Sequence, residues 1–327
     1  MNIFVTGGAG FIGSNFVRMA LNNALPGLED CNVTVFDALT YSGTLTNLTD
    51  VKDSNRLTFI KGDIRDVVDV SKALPNHDAI IHFAAESHVD RSVSDSRIFV
   101  ETNVLGTQTL LDQAVSLGIQ RFVHVSTDEV YGSIDAGSWD EEQPLLPNSP
   151  YSASKAGSDL LVRSYHVTHG LHTSITRCSN NYGTHHFPEK MIPLFVTNLL
   201  DGKKIPLYGD GQNVRDWLHV DDHCRGIAAV LTKGQAGEIY NIGGGTELTN
   251  VELTDLLLEA TGRDSSFIEH VADRKGHDRR YSVDIGKISR ELGYGPQVPF
   301  DAGLADVVQW YRENRWWWEP LKEASSP

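Results

Sequence analysis

Two neighbouring carboxylates precede a tyrosine and a lysine that are spaced for proton transfer. Asp128 and Glu129 follow Thr127, and Tyr151 precedes Lys155 by four positions. Residues four apart share one face of a helix, where the ammonium would favour an ionised phenol that could accept a proton from an alcohol. Paired carboxylates can supply an acid and a base if their surroundings separate their pKa values. The residues alone leave open which is the acid, and a solvated acidic turn is the alternative.

A glycine-rich segment near the N-terminus predicts a dinucleotide site. Residues 6–13 read Thr-Gly-Gly-Ala-Gly-Phe-Ile-Gly and contain G-x-G-x-x-G between a predicted strand and a predicted amphipathic helix. Such a turn lets the backbone approach a pyrophosphate, whose charge the helix N-terminus favours. Asp37 ends the next predicted strand, 24 residues after Gly13, where an acid that binds the adenosine ribose is expected. Because this carboxylate would repel a 2′-phosphate, NAD is favoured over NADP; the alternative is that Asp37 only caps a turn.

The strands and helices that the sequence pattern predicts around these residues indicate an α/β fold. Short apolar segments alternate with helical patterns, which is typical of a Rossmann-type doubly wound parallel sheet. The predicted strands are Ile3–Val5, Val33–Phe36, Leu57–Ile60, Ala79–Phe83, Phe122–Ser126 and Ser174–Thr176. One predicted helix follows the glycines, a second covers Phe99–Leu117, and a third begins near Tyr151. Three shorter helices are predicted over Pro193–Leu200, Asp222–Leu231 and Val251–Ala260. Loops rich in glycine, proline and asparagine after about residue 180 predict a smaller, irregular C-terminal substrate-binding domain.

Composition excludes several classes of protein. The 327 residues carry 28 Lys and Arg against 43 Asp and Glu, a formal net charge of −15. No global positive field would attract nucleic acid or an anionic membrane, and no apolar run approaches the roughly 18 residues of a membrane-spanning helix. Cys31, Cys178 and Cys224 are far apart, which favours a reducing, cytoplasmic setting. The N-terminal residues predict a strand and not a signal peptide.

Taken together, the glycine segment, Asp37 and the Tyr-x-x-x-Lys pattern resemble the extended short-chain dehydrogenase/reductase family. The segment Thr-Asp-Glu-Val-Tyr-Gly at 127–132 is similar to the nucleotide-sugar 4,6-dehydratases of that family, because epimerases usually carry small or hydroxylated residues in place of Asp128 and Glu129. The resemblance implies a lyase that uses NAD to convert dTDP-glucose into a 4-keto-6-deoxy sugar nucleotide. The alternatives are a UDP-sugar 4-epimerase or decarboxylase of the same superfamily, or an NAD-binding regulator without catalysis.

The resemblance also implies roles for individual residues. Glu129 would be the base for the C5 proton, Asp128 the acid toward the C6 oxygen, and Thr127 a hydrogen-bond donor to the C4 oxygen, while Tyr151 and Lys155 serve C4 oxidation. The cofactor would be bound by Gly7, Gly10, Phe11, Ile12, Gly13, Asp37, Thr40, Asp63, Ile64, Ala84, Ala85, Thr102, Tyr151, Lys155 and Asn181. The sugar nucleotide would be bound by Ser87, Thr127, Asn180, Lys190, Met191, Pro206, Tyr208, Arg215, Asn250, Asp273, Arg274 and His277.

This assignment divides the chain into two predicted domains. We expect an NAD-binding domain over residues 1–180, to which the chain returns around 214–242, and a mainly sugar-nucleotide-binding domain over 181–327. Within the second, Thr184-His185-His186 departs from the Pro-Tyr-Gln or similar sequence usual in the family, which leaves the conformation of that loop open. The resemblance further implies a homodimer, formed through the helices over 99–117 and 151–167.

Two clusters of side chains have simpler interpretations than ligand binding. His219 and His223 could imitate metal ligands, but His219 lies in a predicted extended segment and His223 in a predicted helix capped by Asp221 or Asp222. The two rings therefore need not share a face, and we expect no metal. The three tryptophans at 316–318 are interpreted as packing or an oligomer contact.

Overall fold

A seven-stranded parallel sheet lies at the centre of the computed structural model, which describes residues 1–324. The strands are β1 (Asn2–Thr6), β2 (Asn32–Asp37), β3 (Leu57–Lys61), β4 (Ala79–His82), β5 (Arg121–Thr127), β6 (Thr173–Cys178), β7 (Asn180–Tyr182), β8 (Ile205–Tyr208), β9 (Val214–His219), β10 (Ile239–Ile242), β11 (Glu247–Thr249) and β12 (Ile268–Val271). The large sheet has the order β10-β6-β5-β4-β1-β2-β3, and all its pairs are parallel.

This strand order confirms the predicted Rossmann-type fold. From β1 the chain crosses the sheet to β2 and β3, and it then returns to β4 on the other side of β1, which creates a topological switch point. The six predicted strands are confirmed, with ends that differ by no more than two residues. The prediction lacked β10, a strand of only four residues whose place in the sheet depends on its pairing with β6.

Helices cover both faces of the sheet. They are α1 (Phe11–Leu21), α2 (Val67–Ala73), α3 (Val89–Ser94), α4 (Arg97–Phe99), α5 (Gly106–Leu117), α6 (Pro150–His169), α7 (Met191–Leu200), α8 (Val220–Lys233), α9 (Asn250–Thr261), α10 (Gly286–Leu292), α11 (Phe300–Glu313) and α12 (Arg315–Ala324). The core on one face includes residues of α1, α8 and α10, and the core on the other includes residues of α2, α5 and α6. None of the helices within the described residues is long and apolar enough to cross a membrane.

The helix predicted over Phe99–Leu117 contains a π-helical segment. Val100–Leu105 lies between α4 and α5 and has π geometry, so the prediction is right in extent but not in helix type. Asn103 of this segment is buried, and its amide donates to the backbone oxygen of Glu86 at 3.0 Å and to Ser154 Oγ at 2.8 Å. Apolar periodicity does not distinguish π from α geometry, and π segments are frequent at functional sites.

The later part of the chain builds a second core beside the large sheet. Two small sheets, β11-β9-β7 and β12-β8, accompany α7, α9, α11 and α12. Trp317 and Trp318 belong to this core with exposed fractions of 4% and 0%, whereas Trp316 is 59% exposed. The packing interpretation of the tryptophans is therefore confirmed for two of the three.

The two histidines considered as metal ligands have other partners. His219, and not Asp221 or Asp222, caps α8, because its Nδ1 accepts a hydrogen bond from the Asp221 backbone N–H at 3.2 Å. The predicted cap was wrong because the helix begins at Val220, so the two aspartates lie in its first turn, where the helix dipole favours acids. His223 Nδ1 lies 2.9 Å from Asn181 Oδ1. Among residues 1–324, no group of three or more His, Cys, Asp or Glu side chains is arranged to hold a metal ion.

Candidate active site

A cavity of about 350 Å³ opens at the carboxyl edge of the large sheet, at its switch point. The loops after β1, β2, β3 and β4 line it, as do the end of β5 and the start of α6. All fifteen residues predicted to bind the cofactor lie on its wall. Ligands of doubly wound sheets bind at this edge, so the structure brings the predicted cofactor residues together in one place.

The glycine loop after β1 leaves its backbone close to the cavity. Gly7 has φ +68°, and a Cβ there would lie 2.6 Å from the backbone nitrogen of Ala84. A Cβ on Gly13 would lie 2.3 Å from the carbonyl oxygen of Gly7. Gly10 precedes α1 in an extended conformation and makes no side-chain cap, so the first N–H groups of the helix are available to an anion. These features fit the pyrophosphate of a dinucleotide.

Asp37, at the end of β2, holds this loop and also faces the cavity. Its Oδ2 accepts from the Ala9 backbone N–H at 2.9 Å, and its Oδ1 accepts from the Leu39 N–H at 2.8 Å. Burial raises the pKa of the carboxyl, against the effect of these two donors. Asp37 therefore caps the turn at Leu39, as the simpler interpretation expects, and it also lies on the wall of the cavity.

The predicted tyrosine and lysine lie one turn apart near the start of α6. A capping box between Ser149 and Ser152 begins the helix and sets its first turn against the cavity. Lys155 Nζ donates to the carbonyl oxygen of Val125 at 2.8 Å, and burial lowers its pKa to about 8. Burial, and then the charge of Glu129, raise the pKa of Tyr151 well above its usual range.

The carboxylate pair follows β5 on a single 3-10 turn. Thr127 caps this turn: its Oγ1 accepts from the Glu129 N–H and donates to Asp128 Oδ1, both at 3.2 Å. Asp128 is 2% exposed, and its Oδ2 is buried without a hydrogen-bond partner. Burial and the charge of Glu129 raise the pKa of Asp128 well above its usual range. The solvated-turn interpretation does not fit a carboxylate that is so deeply buried.

Glu129 has a different electrostatic environment. Burial raises its pKa as well, but three cations, Arg274, Lys190 and Arg215, lower it. Asp128 has Glu129 and Asp216 as its main charged neighbours and a weaker effect from Arg215. The pKa values of both carboxyl groups are raised, and the surroundings favour a proton on Asp128 over one on Glu129, a distinction that the residue types alone leave open.

A second cavity of about 200 Å³ adjoins the first and shares Glu129 with it. The predicted substrate residues on its wall are Asn180, Lys190, Met191, Pro206, Tyr208, Arg215, Asn250, Arg274 and His277. Ser87 and Thr127 lie on the first cavity, and Asn180 and Lys190 line both. Asp273 lines neither cavity. It is exposed, and its Oδ1 lies 2.6 Å from Nδ1 of His277, which does line the second cavity.

A family model described as GDP-mannose 4,6 dehydratase matches residues 4–307 of this chain. The chain belongs to this family. The dTDP-glucose 4,6-dehydratase of Streptomyces antibioticus is 60% identical over 324 residues, which are 99% of this chain and 96% of that protein. The crystal structure of DesIV, a dTDP-glucose 4,6-dehydratase from Streptomyces venezuelae with NAD and dTDP bound, has a TM-score of 0.97 and 64% identity and covers 98% of this chain and 100% of that one. UDP-glucose 4-epimerase from Thermotoga maritima is more distant, with a TM-score of 0.88, 31% identity and coverage of 96% and 100%.

Sequence reasoning missed two residues of this dehydratase site. His186 lines both cavities, and its ring stacks on Phe11 with centroids 4.1 Å apart and 9° between the planes. Glu189 also lines both cavities and pairs with Arg91 at 3.0 Å. Their position between Asn181 and Lys190, two residues that were predicted, was the available signal. The departure at 184–186 from the usual family sequence leaves this loop without a family pattern that would name its contacts.

Proposed function

We propose that the protein is a dTDP-glucose 4,6-dehydratase, a lyase that converts dTDP-glucose into dTDP-4-keto-6-deoxyglucose and water with tightly bound NAD. The observation that carries this proposal is the placement of two carboxyl groups: Asp128 is buried on the first cavity with its Oδ2 lacking a hydrogen-bond partner, and the adjacent Glu129 lies where the two cavities meet. A 4-epimerase needs only to oxidise and reduce C4, so it has no use for a separate acid and base beside C5 and C6. A regulator without catalysis would need neither this pair nor Tyr151 and Lys155.

The first step concerns the C4 hydroxyl. NAD, when bound, would supply the hydride chemistry of the cycle, as the oxidant at C4 and the reductant at C6. Tyr151 takes the hydroxyl proton, which requires a positive charge near a phenol whose pKa is otherwise raised. Lys155 provides that charge below about pH 8, and the Val125 carbonyl holds its ammonium in place. Thr127 offers a hydrogen bond to the C4 oxygen.

Elimination then uses the two carboxyl groups differently. The C4 ketone makes the C5 proton acidic, and the ionised Glu129 removes it. As the C5–C6 double bond forms, the C6–O bond breaks, and protonated Asp128 gives its proton to the leaving hydroxyl, which departs as water. Glu129 afterwards returns a proton to C5. The cycle consumes no cofactor, since C6 is reduced at the expense of C4.

The second cavity has the charges that a sugar diphosphate requires. Lys190, Arg215 and Arg274 lie on its wall although the protein carries a net charge of −15. The guanidinium groups can bind phosphate oxygens in bidentate fashion. The Arg274 Nε is buried without a hydrogen-bond partner, which supports a role for this side chain toward a ligand. We infer that the diphosphate lies between these cations and that the nucleobase lies toward Tyr208, Asn250 and His277.

We also propose a homodimer in the cytoplasm. The helices named for the interface expose apolar side chains, with Val100, Leu105, Leu160 and Val167 between 48% and 66% exposed. The three cysteines are free and buried, which supports a reducing compartment. Light scattering should give twice the chain mass of 36.1 kDa, and a mass of one chain would contradict the dimer.

Turnover in heavy water tests the proposed reaction. We expect dTDP-glucose to yield a 4-keto-6-deoxy product that carries solvent deuterium at C5, with no external reductant and no net formation of NADH. UDP-glucose serves as the control for recognition of the base. A C4 epimer as product, or bound NAD without turnover, would contradict the proposal.

A further inference from the structure

Trp317, near the C-terminus, is linked by hydrogen bonds to the glycine loop near the N-terminus. Its indole Nε1 donates to Asn47 Oδ1 at 2.9 Å, and Asn47 Nδ2 donates to the carbonyl oxygen of Ala9 at 2.9 Å. Ala9 lies within the glycine loop, and its N–H donates to Asp37. Trp317, Asn47 and Ala9 have exposed fractions of 4%, 2% and 0%. Buried hydrogen bonds of this kind hold the groups they join in one arrangement.

Asn47 also connects this link to the helix that follows the loop. Asn47 belongs to the 3-10 turn Leu45–Val51, and its carbonyl oxygen accepts from Arg18 of α1 at 2.6 Å. One residue therefore contacts the glycine loop, the last turn of α1 and the C-terminal helix α12. The same indole packs on His185, with centroids 5.4 Å apart, and the neighbouring His186 stacks on Phe11 at the start of α1.

We propose that Trp317, acting through Asn47, is a positioning residue that fixes the glycine loop and slows the release of bound dinucleotide. The inference rests on the proposed function for the identity of that dinucleotide as NAD. The loop binds a pyrophosphate through backbone N–H groups, whose affinity depends on how rigidly they are held before binding. An enzyme that must return a hydride to the same substrate molecule needs a cofactor that stays bound throughout the cycle.

Trp318 provides a matched control within the same helix. It is 0% exposed, and its indole Nε1 donates to the Tyr311 carbonyl oxygen at 2.7 Å, away from the glycine loop. Trp317→Phe and Trp318→Phe each remove a buried indole N–H and leave one acceptor without that donor. Their effects on packing should be similar, so a difference between them in dinucleotide release reports on the link through Asn47.

The test measures how fast labelled NAD leaves each purified holoprotein when unlabelled NAD is added in excess. We expect Trp317→Phe to release NAD about three to ten times faster than the unchanged protein, as the loss of one buried hydrogen bond implies. Trp318→Phe should stay within about twofold. In a background of Asn47→Ala, which itself releases NAD faster, adding Trp317→Phe should change nothing further.

Asn47→Asp tests the same link without altering the tryptophan core. It keeps an acceptor for the indole but removes the side-chain donor to the Ala9 carbonyl oxygen, so this variant should also release NAD faster. It therefore provides a second test in case Trp317→Phe is too unstable to purify. Equal release from the Trp317 and Trp318 variants, full additivity with Asn47→Ala, or unchanged release from Asn47→Asp would each overturn the inference while leaving the proposed function intact. An unchanged protein that retains no dinucleotide would overturn both.

Discussion

The two cavities of this protein are built by different means. The cofactor cavity lies at glycines and strand ends that are close together because the sheet is regular, and side chains such as Asp37, Tyr151 and Lys155 complete its wall. The substrate cavity is lined by charged, aromatic and aliphatic side chains from separate segments, most of them in the later part of the chain. The first selects its ligand by close approach of the backbone, and the second by charge. The two regions should therefore fail in different ways when they are altered.

The largest expected effect comes from adding one methyl group to the cofactor cavity. In Gly13→Ala the new Cβ would lie 2.3 Å from the Gly7 carbonyl oxygen and 2.9 Å from Gly8 Cα, so the loop backbone must move. We expect the protein to be purified without NAD and to show no measurable turnover. Gly295→Ala is the control, because its Cβ meets nothing within 4 Å. Normal NAD content in Gly13→Ala would show that the loop is not the pyrophosphate site.

The next effect is expected where the two cavities meet. Glu129→Gln keeps the size of the side chain but removes the base, so kcat should fall by about 10²- to 10⁴-fold while C4 oxidation still proceeds. The reduced cofactor should then accumulate during a single turnover, and its absorbance should rise. Glu142→Gln, an exposed change in the loop that follows, is the control. Dehydration at the normal rate would remove Glu129 from the role of base.

A change in the substrate cavity should affect binding and leave the cofactor in place. Arg274→Gln removes a cation from the wall, so KM for dTDP-glucose should rise about tenfold to a hundredfold with NAD content unchanged. Arg279→Gln changes a cation of the same loop that is exposed and pairs with Asp210 at 2.8 Å, outside the cavity. Equal KM values for the two variants would contradict a diphosphate site at Arg274.

The difference between the two cavities also explains how much of each could be predicted from the sequence. The glycine segment and the apolar strands are contiguous patterns, and they predicted the sheet, the glycine loop and Asp37, whereas cofactor residues such as Thr102 and Asn181 were implied by the family resemblance. The substrate wall comes from segments far apart in the sequence, and no spacing rule joins Lys190 to Arg215 or Arg274, so only the resemblance to a family named them. The roles of Asp128 and Glu129 also depend on those distant cations, which is why the residue types alone could not separate acid from base.

The smallest effect concerns the charge of Lys155, a buried residue on the wall of the cofactor cavity. The titratable groups that interact with its ammonium are His124 on β5, Asp159 on α6, Cys178 on β6 and His82 on β4. Burial lowers the pKa of Lys155 to about 8, and Asp159 acts to raise it. Because the ammonium form is the active one, kcat/KM should fall as pH rises through about 8.

Asp159→Asn should move the fall of kcat/KM on the alkaline side of the pH profile, the alkaline limb, to lower pH, since the change removes the neighbour that favours the charged lysine. The change also weakens the partner of Arg177, whose Nε lies 2.9 Å from Asp159 Oδ2, so thermal unfolding is measured in parallel. A loss of stability alone would lower activity at every pH, whereas the expected change is a few-fold loss confined to the alkaline side. Asp112→Asn, which alters an exposed carboxylate bonded to Tyr165, should leave the limb in place. If both variants keep the limb of the unchanged protein, the charge that controls it is not that of Lys155.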